Sequence, residues 1–318
     1  MLTLEEIRLA QERLRGLVDR TPLVFSDDLS RETGARVFLK LESLQRTGSF
    51  KVRGATYAVT CLSPAARARG VITISAGNHG RGLAHAAAAA GIRAVVVMPG
   101  NANPAKVAAT RELGAEVVLS GNVNEAFAEM ERLRAERGLH FVSPFEDPAV
   151  MAAQGTVALE ILEDLPDVDA VLVPVGGGGL ASGVCVALKA LRPAARIVTV
   201  EPAGADKLRR ALEAKRVVRL AKVETIADGL AAPFVGEANL EILLRLLDGH
   251  VVLSEDEIRS GMRWLLERCR VLAEPAGAAS TSALLTRRAG IKEGEQVVAI
   301  VSGGNIDFGR LPEYLGKS

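Results

Sequence analysis

Four consecutive glycines, Gly176, Gly177, Gly178 and Gly179, follow the apolar run AVLVPV and lead into LASG, where a helical pattern opens. A strand that ends in glycines and feeds a helix aims backbone N–H groups and the positive end of a helix dipole at one point, which suits a phosphate. One or two glycines are enough for a tight strand-to-helix turn, the plain alternative. A dinucleotide fingerprint is a rival reading, and Glu201, at the end of the next apolar run, fits its acidic ribose ligand. The G-x-G-x-x-G spacing fails, however: after Gly177 and Gly179 the third position is Ser182, and the glycine arrives one residue late at Gly183.

Two further Gly-rich stretches also close apolar runs. SAGNHGRG, residues 75–82, gathers Ser75, Asn78 and His79 at one turn, a donor set for a carboxylate or a ring oxygen. An ordinary N-cap turn with a solvated histidine is the alternative there. VSGGN, residues 301–305, offers the Ser302 hydroxyl and the Asn305 amide, or is merely a turn. The fourth stretch, TGSFKVRG at 47–54, sets Lys51 directly after Phe50 in a cramped Gly/Ser setting. Most lysines are solvated, but one kept partly neutral by burial forms a Schiff base with a carbonyl. A phosphate loop, a donor-rich turn, a hydroxyl at a strand end and such a lysine are together what a carbonyl cofactor with a phosphate arm requires.

The elements that must position these groups can be read from periodicity. Short β-branched runs at 36–42, 71–77, 93–100, 115–121, 139–143, 170–177, 196–202, 250–254 and 296–304 alternate with helical patterns such as 78–90, 123–137, 179–192 and 255–269. This alternation predicts an α/β fold of open, mostly parallel sheets with helices on both faces. Nine strands are many for one such sheet, so two are expected. The strands from 71 to 143 make a compact block, giving a small domain over 66–146 and a large one over 1–65 and 147–318. In open parallel sheets ligands sit at the carboxyl ends of the strands, where all the Gly-rich stretches that close apolar runs lie.

Composition narrows the class. The chain has 318 residues with 39 Lys and Arg against 38 Asp and Glu, so no net field favours nucleic acid. No apolar run approaches the roughly 18 residues of a membrane span, and the acidic start MLTLEEIRLA is unlike a signal peptide. A cytoplasmic protein acting on a small molecule is expected. Cys61, Cys185 and Cys269 are far apart and lack CxxC pairing, which argues against a zinc site or disulfide framework and predicts small core fillers.

In these motifs the chain resembles the fold type II, or β-family, pyridoxal-phosphate enzymes, in the branch of threonine/serine dehydratases and serine racemases. The resemblance runs through TPLVFSDDLS, LKLESLQRTGSFKVRGA, SAGNHGRGLA, PFEDPAVMAAQGTVALE, PVGGGGLASG, TIADGLA, LAEPAGAAS and VSGGN. The AGNHG loop separates it from the cysteine synthase branch, which reads SGNTG there. The resemblance implies a tryptophan synthase β-like fold, with the large domain binding pyridoxal 5'-phosphate. Lys51 is then the Schiff-base lysine, Phe50 packs beside the ring and Asn78 bonds the ring hydroxyl. Gly176, Gly177, Gly178 and Gly179 hold the phosphate, Ser302 faces the pyridine nitrogen, and Ser75, Asn78 and His79 receive the substrate carboxylate. A hydroxyl cannot keep that nitrogen protonated, so the ring is a weaker electron sink and loss of a β-hydroxyl is favoured over transamination. The implied activity is a threonine/serine ammonia-lyase: Lys51 as general base takes the α-proton, the β-hydroxyl leaves with the cofactor phosphate as acid, and a 2-oxo acid and ammonia result. The alternatives are a serine racemase with side elimination and, in another class, a non-catalytic nucleotide- or amino-acid-binding module. The family further implies a homodimer or homotetramer.

Three departures refine this. Racemases of the branch carry a reprotonating serine directly after the position of Ser75, and here it is Ala76; Phe145 likewise stands where they have an asparagine. Metal-activated members bind a divalent ion through a glutamate, a carbonyl and an aspartate; Glu201 and the Ala205 carbonyl match, but the aspartate position is Lys207. No divalent metal is expected, because the Lys207 ammonium pairs with Glu201 in its place, unless Lys207 faces solvent and Glu201 binds an ion through carbonyls. The chain also ends too soon after its last strand for the C-terminal effector domain of isoleucine-regulated dehydratases, so control of that kind is not expected.

Overall fold

Continuous apolar runs become strands buried on both faces, because alternate side chains point to opposite sides of a sheet. The computed structural model, which describes residues 2–316, shows this directly. Ten strands are present among these residues: β1 (Leu23–Phe25), β2 (Arg36–Leu41), β3 (Val71–Ile74), β4 (Ala94–Pro99), β5 (Glu116–Ser120), β6 (His140–Phe141), β7 (Ala170–Pro174), β8 (Arg196–Pro202), β9 (Gly249–Leu253) and β10 (Gln296–Val301). Val171 and Val173 of β7 and Val298 and Ile300 of β10 enter one core, under the helices Pro148–Asp164 and Gly179–Leu191. Leu172, Val297 and Ala299, one residue out of phase, enter the other, against the helix Pro275–Leu285.

The strands divide into two sheets, as their number predicts. The larger runs β1-β2-β10-β7-β8-β9 and the smaller β5-β4-β3-β6. The smaller is parallel throughout, and so is the larger except at its edge, where β1 pairs antiparallel with β2, Leu23 opposite Lys40. Strand β1 is absent from the sequence expectation: three residues are too few to show a period.

The predicted helix over 255–269 is an α-helix only to Trp264 and continues as a π-helical turn over Leu265–Cys269. The cysteine expectation needs correction as well. Cys185 is buried, but Cys269 is only partly so and Cys61 is exposed, because its place at the end of the helix Lys51–Thr60 lies outside the core. No helix among the described residues is long and apolar enough to cross a membrane.

Candidate active site

The site forms where strands of both sheets end. Ile74 closes β3 before Ser75, Pro174 closes β7 before the four glycines, and Val301 closes β10 before Ser302. A cavity of about 310 Å³ is lined by Lys51, Asn78, His79, Gly176 to Gly179, Glu274 and Ser302, with Phe50, Ser75 and Ala76 also on its wall. The residues expected to hold the cofactor and substrate therefore line one cavity, whereas Asn305 and Glu201, also singled out in the sequence, are not on its wall.

Lys51 reaches it through a backbone bridge. Ser49 pairs with Gly303 as an isolated antiparallel bridge, the Phe50 N–H donates to the Ser302 carbonyl at 3.1 Å, and the Gly304 N–H donates to the Gly48 carbonyl at 2.9 Å. TGSFK and VSGGN are thereby laid side by side. Lys51 opens the helix Lys51–Thr60, against which the helix Asn78–Ala89 packs so closely that a Cβ on Gly82 would lie 3.2 Å from the Lys51 carbonyl carbon. Behind it, Arg53 is 1 % exposed and grips Glu42 (Nε–Oε2 2.8 Å) and Glu160 (Nη1–Oε1 2.6 Å), while Lys40 donates to Glu160 at 2.6 Å. Two cations and two carboxylates thus anchor the helix that carries Lys51. Lys51 Nζ donates to the Pro144 carbonyl at 2.7 Å, and burial lowers its pKa to about 8, so the amine is still mainly charged at pH 7 but loses its proton far more readily than a solvated lysine.

The glycine turn is an array of open donors. Among the described residues, the N–H groups of Gly176 to Gly179 donate to no protein acceptor. The turn is held instead through its carbonyls: Asn239 Nδ2 and the Gly236 N–H both reach the Gly177 oxygen, at 3.2 and 3.1 Å. Gly178 has φ +103°, open to glycine but strained for other residues. Free N–H groups at the start of the Gly179–Leu191 helix are a match for an anion.

On the other wall, Asn78 Nδ2 donates to Glu274 Oε1 at 2.5 Å and Asn78 Oδ1 accepts from Asn305 Nδ2 at 2.7 Å, which leaves one amide hydrogen of Asn78 free. Ser302 Oγ donates to the Ala276 carbonyl across a long 3.4 Å. His79 is 2 % exposed, and burial together with the charge of Lys51 pushes its imidazole down to about 3, so it is neutral. Its Nε2 lies 3.0 Å from the Val142 carbonyl and so carries the proton, leaving Nδ1 as an unpaired acceptor. The imidazole is thus unable to donate to a carboxylate, contrary to the expectation for His79. Donors open to such a group are the Ser75 hydroxyl and the backbone N–H groups of the first turn of the Asn78–Ala89 helix.

A family model described as pyridoxal-phosphate dependent enzyme matches residues 14–303. The chain belongs to that family. Relatives agree: an L-threonine ammonia-lyase of Thermotoga maritima is 44 % identical over 318 residues, all of this chain and 79 % of that protein. Among solved structures, the processed form of threonine deaminase isoform 2 from Solanum lycopersicum superposes with a TM-score of 0.93 at 36 % identity, covering 99 % of this chain and 94 % of the other. Maize serine racemase superposes with a TM-score of 0.94 at 35 % identity, covering 98 % and 96 %. The site fits pyridoxal phosphate in kind: an amine of lowered pKa suits its aldehyde, unpaired N–H groups its phosphate, and a free amide hydrogen and a hydroxyl its polar ring.

Three ionisable groups of this pyridoxal-phosphate site, Glu274, Lys106 and Asp228, are not among the residues expected from the sequence. Glu274 is 3 % exposed, and burial, with the nearby charge of Asp228, raises its pKa to about 8. A carboxylate immediately before Pro275, at the start of the apolar Pro275–Leu285 helix, was the available signal. Lys106 and Asp228 form an ion pair on the cavity wall, joining the helix Pro104–Glu112 to the turn Asp228–Leu230. Finally, Lys207 is fully buried and its Nζ lies 3.2 Å from Glu201 Oε2, which excludes the solvent-facing alternative.

Proposed function

We propose that the chain is a pyridoxal-phosphate dependent L-threonine/L-serine ammonia-lyase, giving 2-oxobutanoate or pyruvate and ammonia by α,β-elimination. The observation that carries this reading is one cavity lined by Lys51, an amine biased toward neutrality, and by Ala76, which has no proton to move. Bound pyridoxal phosphate supplies an aldehyde for the substrate amine and a ring that takes up the electron pair left at the α-carbon.

The chain's own residues divide the remaining work. Lys51 would anchor the cofactor's aldehyde carbon and, as general base, take the substrate's α-proton at Nζ; its contact with the Pro144 carbonyl orients the amine. Gly176 to Gly179 would hold the phosphate through their N–H groups, with Phe50 beside the ring and Asn78 on the ring hydroxyl. Ser302 would meet the pyridine nitrogen with a hydroxyl that cannot keep it protonated, which favours expulsion of the β-hydroxyl. Ser75 and the Asn78–His79 turn would receive the substrate carboxylate. The serine racemase reading draws on the likeness to maize serine racemase, but Ala76 opposes it.

Incubation with L-threonine, L-serine and D-serine separately tests the proposal, following 2-oxo acid and ammonia and resolving residual serine by chirality. Keto acid and ammonia in equal amounts from the L-substrates are expected. D-serine appearing from L-serine faster than pyruvate would overturn the assignment. The proposal extends to a cytoplasmic homodimer or homotetramer, and sedimentation of the purified chain as a monomer would remove that part of it.

A further inference from the structure

Lys207 lies behind the glycine turn, outside the cavity, with no exposure to solvent. Its Nζ has three acceptors: the Val175 carbonyl at 2.8 Å, the Leu230 carbonyl at 3.0 Å and Glu201 Oε2 at 3.2 Å. An ammonium has three hydrogens, so all are used. Glu201 is held just as fully, accepting the Leu208 and Arg209 N–H groups at 3.0 and 2.8 Å and lying 3.0 Å from His250 Nε2, whose Nδ1 is 2.9 Å from Thr199 Oγ1. The ammonium is therefore fixed in position from below and presents its charge to two carbonyls above.

Both carbonyls belong to the cavity's frame. The Val175 oxygen is part of the peptide that joins Val175 to Gly176. In a trans peptide the C=O and N–H point in opposite directions, so a cation on the Val175 oxygen turns the Gly176 N–H away from Lys207. The Leu230 segment is the turn's other support, since a Cβ on Gly176 would lie 3.1 Å from the Gly229 oxygen. Leu230 and Gly176 both line the cavity. One buried charge thus sets the relative placement of two strips of backbone and the direction of a donor between them.

We propose that Lys207 is a positioning residue for the cofactor phosphate, acting as a built-in cation that aims the Gly176 N–H and its neighbours into the cavity by holding the Val175 and Leu230 carbonyls. The inference rests on the family's cofactor and not on the substrate, so it stands or falls separately from the ammonia-lyase reading.

Cofactor binding, not turnover, is the test. Lys207→Ala protein, freed of cofactor, is titrated with pyridoxal phosphate, and the bound phosphate is observed by phosphorus NMR. Affinity is expected to fall about tenfold or more, with a displaced phosphate resonance. Because the substitution leaves a cavity rimmed by two carbonyls and a carboxylate, ammonium or methylammonium should restore both readouts, whereas the bulky cation choline at the same concentration should not. Unchanged affinity and resonance, or equal restoration by choline, would overturn the proposal. Should Lys207→Ala fail to fold because Glu201 is left buried and unpaired, the double variant Lys207→Met, Glu201→Gln removes both charges while keeping the bulk. Weakened cofactor binding by that folded variant supports the assignment, and wild-type affinity refutes it.

Discussion

Asn78 and Glu274, 196 residues apart, meet across 2.5 Å from Nδ2 to Oε1. The contact joins the first residue of the helix leaving β3 to the residue that precedes the helix Pro275–Leu285, and so couples the two sheets at the cavity. Burial, with the charge of Asp228 adding to it, raises Glu274 to about 8, so its carboxyl group is mainly neutral at pH 7.

That shift has a sign that can be measured. With a pKa of about 8 in the fold against 4.5 for an ordinary glutamate, the folded state holds more protons between those limits. The stabilisation is fully present below the lower value and is lost as pH rises through the upper one. Urea unfolding of cofactor-free protein at several pH values should show stability falling across this window. Glu274→Gln, which cannot ionise, should flatten that component, so that the variant gains on the wild type as pH rises. Parallel profiles for the two proteins would show that Glu274 is already ionised in the fold.

Lys51→Ala should lower elimination by about 10³-fold or more, with circular dichroism and unfolding midpoint close to wild type. A single-turnover assay with L-serine provides the measurement. Substantial residual turnover would mean that another group removes the α-proton.

Gly178→Ala places a side chain at φ +103°, with its Cβ 2.8 Å from Asn239 Cβ. We expect a loss of about 1–2 kcal/mol in stability and weaker binding of pyridoxal phosphate, read by fluorescence titration. Cofactor affinity equal to wild type would show that this turn does not carry the phosphate.

Arg53→Met leaves Glu42 and Glu160 buried with only Lys40 as a cationic partner. Breaking such a pair should cost about 3–5 kcal/mol, measured by denaturant unfolding. Adding Glu42→Gln should recover part of the loss, and a further loss instead would show that the charge is not the cause.

Much of the site was legible because its motifs are local. Glycines after an apolar run, a serine at a strand end and a lysine in a cramped turn each carry their signal within a few residues. The helix over 123–137 and the strand over 196–202 coincide with their predicted bounds, since both have full periods bounded by turns. Strand β1 lacked that length, and the π-helical turn at Leu265–Cys269 begins inside a pattern that continues as helix. Glu274 stood in the sequence as one carboxylate among 38 acidic residues, and nothing beside it foretold Asn78.

By itself, the sequence determined the two-sheet α/β architecture and the chemical types at the cavity, because periodicity and residue type are properties of neighbours along the chain. Only the tertiary structure decided the protonation of Lys51, His79 and Glu274, the acceptor state of His79 Nδ1 and the carbonyl partners of Lys207. Burial and distance set those properties, and the backbone oxygens that complete them have no signature in residue type.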